Sequence, residues 1–86
     1  MQLNEAIKFR LETLMKQKDI SSKYELSCKA GLNPSLLTDF FRSRTLYPKI
    51  DTLYLICEGI GITLEEFFKD SIFNIENIEV KDNSKE

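Results

Sequence analysis

The chain has 86 residues, 42% of them apolar, with only three glycines and two prolines; this suits one small all-helical globule rather than a disordered chain. No apolar run approaches the length of a bilayer span and the N-terminus has no signal-peptide core, so a soluble cytosolic protein is expected. The sequence holds no histidine, which removes the commonest general base and metal ligand. Its formal charge of −2 gives no overall pull toward nucleic acid.

The first helix is expected from about Asn4 to Gln17, with Leu3, Ile7, Leu11 and Leu14 spaced for one buried stripe. Ser22 and Glu25 form an S-x-x-E capping box, which starts a second helix at Ser22 with Leu26 and Ala30 inward. Gly31 stands where the chain needs a positive φ to leave that helix. Leu32 plugs the turn, Asn33 caps a third helix and Pro34 takes its first position, where a missing N–H costs nothing. Leu37 and Phe40 face inward, while Ser35, Thr38 and Asp39 lie toward the other side. Residues 42–50 read as a loop with Pro48 and three cations. Asp51 is expected to cap a fourth helix whose Leu53, Ile56, Cys57 and Ile60 are core candidates and which Gly61 ends. Thr63 with Glu66 forms a second capping box, stapled by Ile62 and Phe67, for a short fifth helix that stops near Asp70. Ile72, Phe73, Ile75, Ile78 and Val80 are spread among acids and asparagines and fit neither helix nor strand. The last six residues, 81–86, are expected to be frayed. Cys28 and Cys57 are both expected at inward-facing positions, as buried thiols in a reducing compartment.

These residues resemble the repressor/Cro-type (XRE, lambda-repressor-like) helix-turn-helix domains. The match runs through Ile20-Ser21, Leu26, Ala30-Gly31-Leu32, Asn33-Pro34-Ser35, Leu37 and Phe40. It continues through Pro48, Asp51-Thr52-Leu53, Ile56, Gly61-Ile62 and Glu66-Phe67-Phe68, covering roughly residues 3 to 69. The resemblance implies an all-α, five-helix DNA-binding domain over residues 1–70 with the helix-turn-helix at helices 2 and 3. Residues 71–86 are left as an acidic tail, to be packed on the domain or associated with a dimer. It further implies a sequence-specific regulator of transcription, a repressor, that binds duplex DNA at a palindromic operator as a cytoplasmic homodimer of bacterial or phage origin.

By the same resemblance the third helix lies in the major groove and presents Asn33, Pro34, Ser35, Leu36, Thr38 and Asp39. Arg, Gln, Asn or Thr are common along this edge because their donors and acceptors match base edges; here there is no Arg, Lys or Gln. Ser35 and Thr38 offer single hydrogen bonds, Leu36 an apolar contact to thymine methyls, and Asp39 an acceptor for a cytosine amino group. Selectivity is therefore expected to be modest or to depend on DNA shape. The phosphate-binding set is expected to be Ser22 and Lys23 at a helix N-terminus, with Arg42, Ser43, Arg44 and Lys49 after the third helix and hydroxyls of Tyr47 and Tyr24 beside them. Charge supports the division: residues 1–20 carry a net +1, residues 21–50 a net +3 and residues 51–86 a net −6.

A second class stays open. Leu36 and Phe41 both fall outside the Leu37/Phe40 stripe, and an exposed apolar pair of this kind marks protein contacts. The chain would then be a helix-turn-helix used as an interaction module, such as an antirepressor-like or antitoxin-like partner; Phe41 packed under the fourth helix would remove the pair. Enzyme activity is not expected, because no nucleophile has a positioned base and no glycine-rich phosphate loop is present. No cofactor, metal or small-molecule ligand is implied.

Overall fold

A computed structural model describes residues 1–80; the frayed end expected at 81–86 lies outside the described residues. Five α-helices follow one another: α1 (Leu3–Gln17), α2 (Lys23–Ala30), α3 (Pro34–Phe41), α4 (Ile50–Ile60) and α5 (Leu64–Phe68). Ile7, Leu11 and Leu14 form the buried stripe of α1, meeting Leu26 and Ala30 of α2, Leu37 and Phe40 of α3, Leu53, Ile56, Cys57 and Ile60 of α4, and Phe67 of α5. The i, i+3, i+4 spacing of these residues puts them on one side of each helix, so five short helices close a single core.

The helix ends are set by local chemistry. Ser22 stands just before α2, and its Oγ accepts from the Glu25 amide at 3.0 Å. The Glu25 carboxylate reaches one residue further back than a reciprocal box would, accepting from the Ser21 amide at 2.9 Å and the Ser21 hydroxyl at 3.0 Å. At α5 the box closes on itself, the Thr63 Oγ1 accepting from the Glu66 amide and Glu66 Oε1 accepting from the Thr63 amide. Gly31 (φ 69°) and Gly61 (φ 84°) take the left-handed conformation after α2 and α4. Each is followed by an amide that bonds back five residues, Leu32 to the Ser27 carbonyl at 2.9 Å and Ile62 to the Cys57 carbonyl at 3.0 Å. This double-bonded exit occupies carbonyls that would otherwise be orphaned.

Two expectations are corrected here. Asp51 is the second residue of α4 rather than its cap: Pro48 precedes an extended Lys49 (φ −70°, ψ 155°), whose carbonyl accepts from the Leu53 amide, so the helix starts at Ile50. Asp51 still favours the helix through its charge in the first turn. Cys28 is exposed whereas Cys57 is buried. The inner face of α2 is Leu26, Ser27 and Ala30, and Cys28, two residues from both Leu26 and Ala30, is turned roughly 200° from each.

Beyond α5 the chain makes two 3-10 turns, Ser71–Phe73 and Ile75–Asn77, and then returns to the start of α1. The Glu79 carbonyl accepts from the Leu3 amide and the Glu79 amide donates to the Met1 carbonyl, both at 2.8 Å. Phe73 stacks with Phe67 and Phe68, at ring separations of 6.0 and 4.9 Å. Arg10 fixes this end of the molecule: its guanidinium donates to the Phe67 and Glu66 carbonyls at 2.7 and 2.8 Å, closing the C-terminus of α5, and pairs with Asp70 at 3.6 Å.

Candidate nucleic-acid interface

Leu37 and Phe40 are each only 1% exposed, and anchoring α3 by that side turns its opposite edge outward. Pro34, Ser35 and Leu36 are exposed there, while Thr38 and Asp39 are half-buried. Asn33 is engaged as the cap, its Oδ1 accepting from the Ser35 amide and the Ser35 hydroxyl, each at 3.0 Å. A base approaching Ser35 thus meets a hydroxyl whose proton is already committed but whose lone pairs remain. Leu36 is 47% exposed and forms one rim of an apolar cleft of about 380 Å³ between α3, the following loop and α4, lined also by Phe40, Tyr47, Pro48 and Leu55.

The turn after α3 carries the cations. Arg42, Ser43, Arg44 and Lys49 are all exposed. Ser43 holds a left-handed φ of 63°, uncommon for a residue with a Cβ. It is kept there by its amide donating to the Phe40 carbonyl and by Lys8, whose ammonium donates to Ser43 Oγ at 2.8 Å and lies 5.4 Å from the Phe40 ring centre. The Asp39 carbonyl accepts from the amides of Arg44 and Thr45 at 2.8 and 3.2 Å, and its carboxylate pairs with the Arg44 guanidinium at 3.6 Å. Ser22 and Lys23 sit at the N-terminus of α2; Lys23 is 3.7 Å from Glu12 and stands over the Phe41 ring at 4.5 Å.

The Cro/C1-type HTH DNA-binding domain family matches residues 10–71. The chain belongs to that family. No curated protein and no solved structure matches it. Its five helices have the lambda-repressor-like arrangement, with α2 and α3 as the helix-turn-helix.

Within this Cro/C1-type domain the candidate contact residues form three groups. Asn33, Pro34, Ser35, Leu36, Thr38 and Asp39 share α3 and its cap; Arg42, Ser43, Arg44 and Lys49 share the turn and loop behind it, and Ser22 and Lys23 form a separate group at the start of α2. Phe41 is half-buried against the core, edge-on to Phe40 and covered by Lys23, so it does not join Leu36 as an exposed pair. Tyr24 is 66% exposed. The Tyr47 hydroxyl is buried without a partner, so the expectation that it reaches a phosphate is not met by this arrangement. Lys8 is the residue that sequence reading missed. Its only signal was a place beside Ile7 at the margin of the α1 stripe, since its partner Ser43 is 35 residues away.

Proposed function

We propose that the protein is a sequence-specific transcriptional repressor that binds duplex DNA as a homodimer, with α3 in the major groove. The observation that carries this reading is the outward edge of α3 bordered by Arg42, Arg44 and Lys49, with the one carboxylate on that edge, Asp39, already paired to a cation. The contact set is Ser35, Leu36 and Thr38 toward the groove, with Asn33 and Pro34 at the helix entry and Asp39 on the same edge, paired to Arg44. Ser22, Lys23, Arg42, Ser43, Arg44 and Lys49 face the phosphates. Two copies would place their α3 helices about 34 Å apart on a palindromic site. For the dimer surface, α5 and residues 71–80 are favoured by their exposed apolar side chains, Ile75 at 91% and Phe68 at 37%.

A salt series against random duplex and against a site selected from a random pool tests the reading. Four engaged cations per subunit give log affinity against log salt a slope of about −3 to −4 per subunit. Arg42→Ala with Arg44→Ala lowers affinity for all sequences alike, whereas Ser35→Ala or Thr38→Ala changes the preferred sequence. Affinity indifferent to salt removes the proposal. The interaction-module reading retains one observation, the exposed Leu36 beside its apolar cleft, and a co-purifying protein that protects Leu36 would favour it.

A further inference from the structure

Asp39 occupies a position from which a carboxylate would ordinarily weaken DNA binding, since it faces the same edge as the groove-directed residues and repels phosphate. Three features give it a different task. Its backbone carbonyl accepts from the amides of both Arg44 and Thr45, which fixes where the chain of residue 44 begins. On the far side of the same turn, Lys8 holds Ser43 through its hydroxyl at 2.8 Å, so the main chain of the turn is tied from two directions. The freedom that remains is that of the Arg44 side chain, 64% exposed, and it is the Asp39 carboxylate that takes it up, through one guanidinium nitrogen at 3.6 Å.

A guanidinium carries five N–H donors. At 3.6 Å the Asp39 pairing is an ion pair and not a hydrogen bond, so these donors stay available to a second anion, and an arginine already drawn to one side loses less freedom when that anion arrives. Resting on the DNA-binding reading above, we propose that Asp39 is a positioning residue: it holds the Arg44 guanidinium beside α3 for a backbone phosphate and does not read a base.

The test is a binding cycle on the full chain with D39N, R44A and the double variant, measured on random duplex and on a site selected by the wild type. Asp39→Asn keeps the size and the backbone carbonyl. In the R44A background D39N should tighten binding, because repulsion of phosphate is removed and no cationic partner is lost. With Arg44 present D39N should weaken it or tighten it less, the two effects differing by about two- to fivefold. The salt slope should fall by about 0.9 for R44A, and the base preference of D39N should equal that of the wild type. Equal effects of D39N in both backgrounds, or a changed base preference at any operator position, overturns the positioning role while the DNA-binding reading stands. Wild-type protein that ignores duplex DNA at low salt overturns both.

Discussion

At Gly59, α4 passes close against the end of α2, and substituting this glycine with alanine tests the packing on which the interface depends. A Cβ at this position would lie 2.5 Å from the Lys29 carbonyl oxygen, 2.7 Å from its carbon and 2.9 Å from the Ala30 Cα. All three atoms are backbone at the end of α2, so no side chain can swing aside and one helix must move. Alanine inside α4 gains about 1 kcal/mol of helix propensity over glycine. Overpacking a core costs about 1–3 kcal/mol, and a clash with main chain belongs at the upper end of that range. The net expectation for Gly59→Ala is a loss of about 1–2 kcal/mol, which for a domain of this size lowers Tm by roughly 5–15 °C. Urea and thermal unfolding followed by far-UV circular dichroism measure it. A variant as stable as the wild type, or more stable, would refute the reasoning, since propensity alone would then have decided the outcome.

Phe73→Ala removes a half-buried ring stacked on Phe67 and Phe68 and should cost about 2 kcal/mol in urea unfolding; a change below about 0.5 kcal/mol would mean that the tail contributes nothing to the fold. Glu25 and Glu66 are both held below the ordinary carboxylate range, chiefly by the backbone amides of Ser21 and Thr63 that donate to them. Because their folded pKa values are depressed, their contribution is complete above the ordinary glutamate range and is lost as pH falls through the lowered values. Glu25→Gln and Glu66→Gln should therefore flatten the acid limb of a stability–pH curve, and an unchanged limb would contradict this. The exposed Cys28 should react with a thiol reagent in the native protein, whereas Cys57, whose thiol burial pushes up, should react only on unfolding; two fast-reacting thiols would put the orientation of α4 in error.

Elements encoded by neighbours in sequence were legible. The stripe of α1, the caps at Ser22, Asn33 and Thr63, and the exits at Gly31 and Gly61 are each decided within one or two turns of chain, where spacing and side-chain chemistry suffice. Asp51 was misplaced by two residues because an acid favours a helix start both as a cap and in the first turn; Pro48, which sets the extended Lys49, carried the deciding signal. The tail was illegible for a different reason. Residues 71–80 are ordered by α1 and by Phe67, so their pattern shows neither period, and Arg10 finds its acceptors 56 and 57 residues away. At the interface, period put Ser35, Thr38 and Asp39 on the side of α3 opposite Leu37 and Phe40 and the family resemblance supplied the rest of the groove-facing set, whereas Lys8 and the Asp39–Arg44 pair depend on how the turn folds back.

On the proposed reading, the α3 edge and the turn behind it divide the work of binding. The groove-facing side chains are short: Ser35 is bound to its own cap, and Leu36 offers only apolar contact. Neither makes the bidentate contacts that discriminate bases by about 1–3 kcal/mol each. The turn, by contrast, is tied by Lys8 at Ser43 and by the Asp39 backbone carbonyl at Arg44 and Thr45, and a phosphate grip held there fixes the distance between backbone and helix. A grip of fixed width responds to groove geometry, so sequences that narrow or bend the duplex easily would be preferred even at base pairs the protein never touches. Selectivity would then be set less by the outward side chains of α3 than by the path of the turn's main chain, which Asp39→Asn leaves tied through its backbone carbonyl and Lys8→Ala loosens at Ser43, so Lys8→Ala should change the preferred sequence and Asp39→Asn should not.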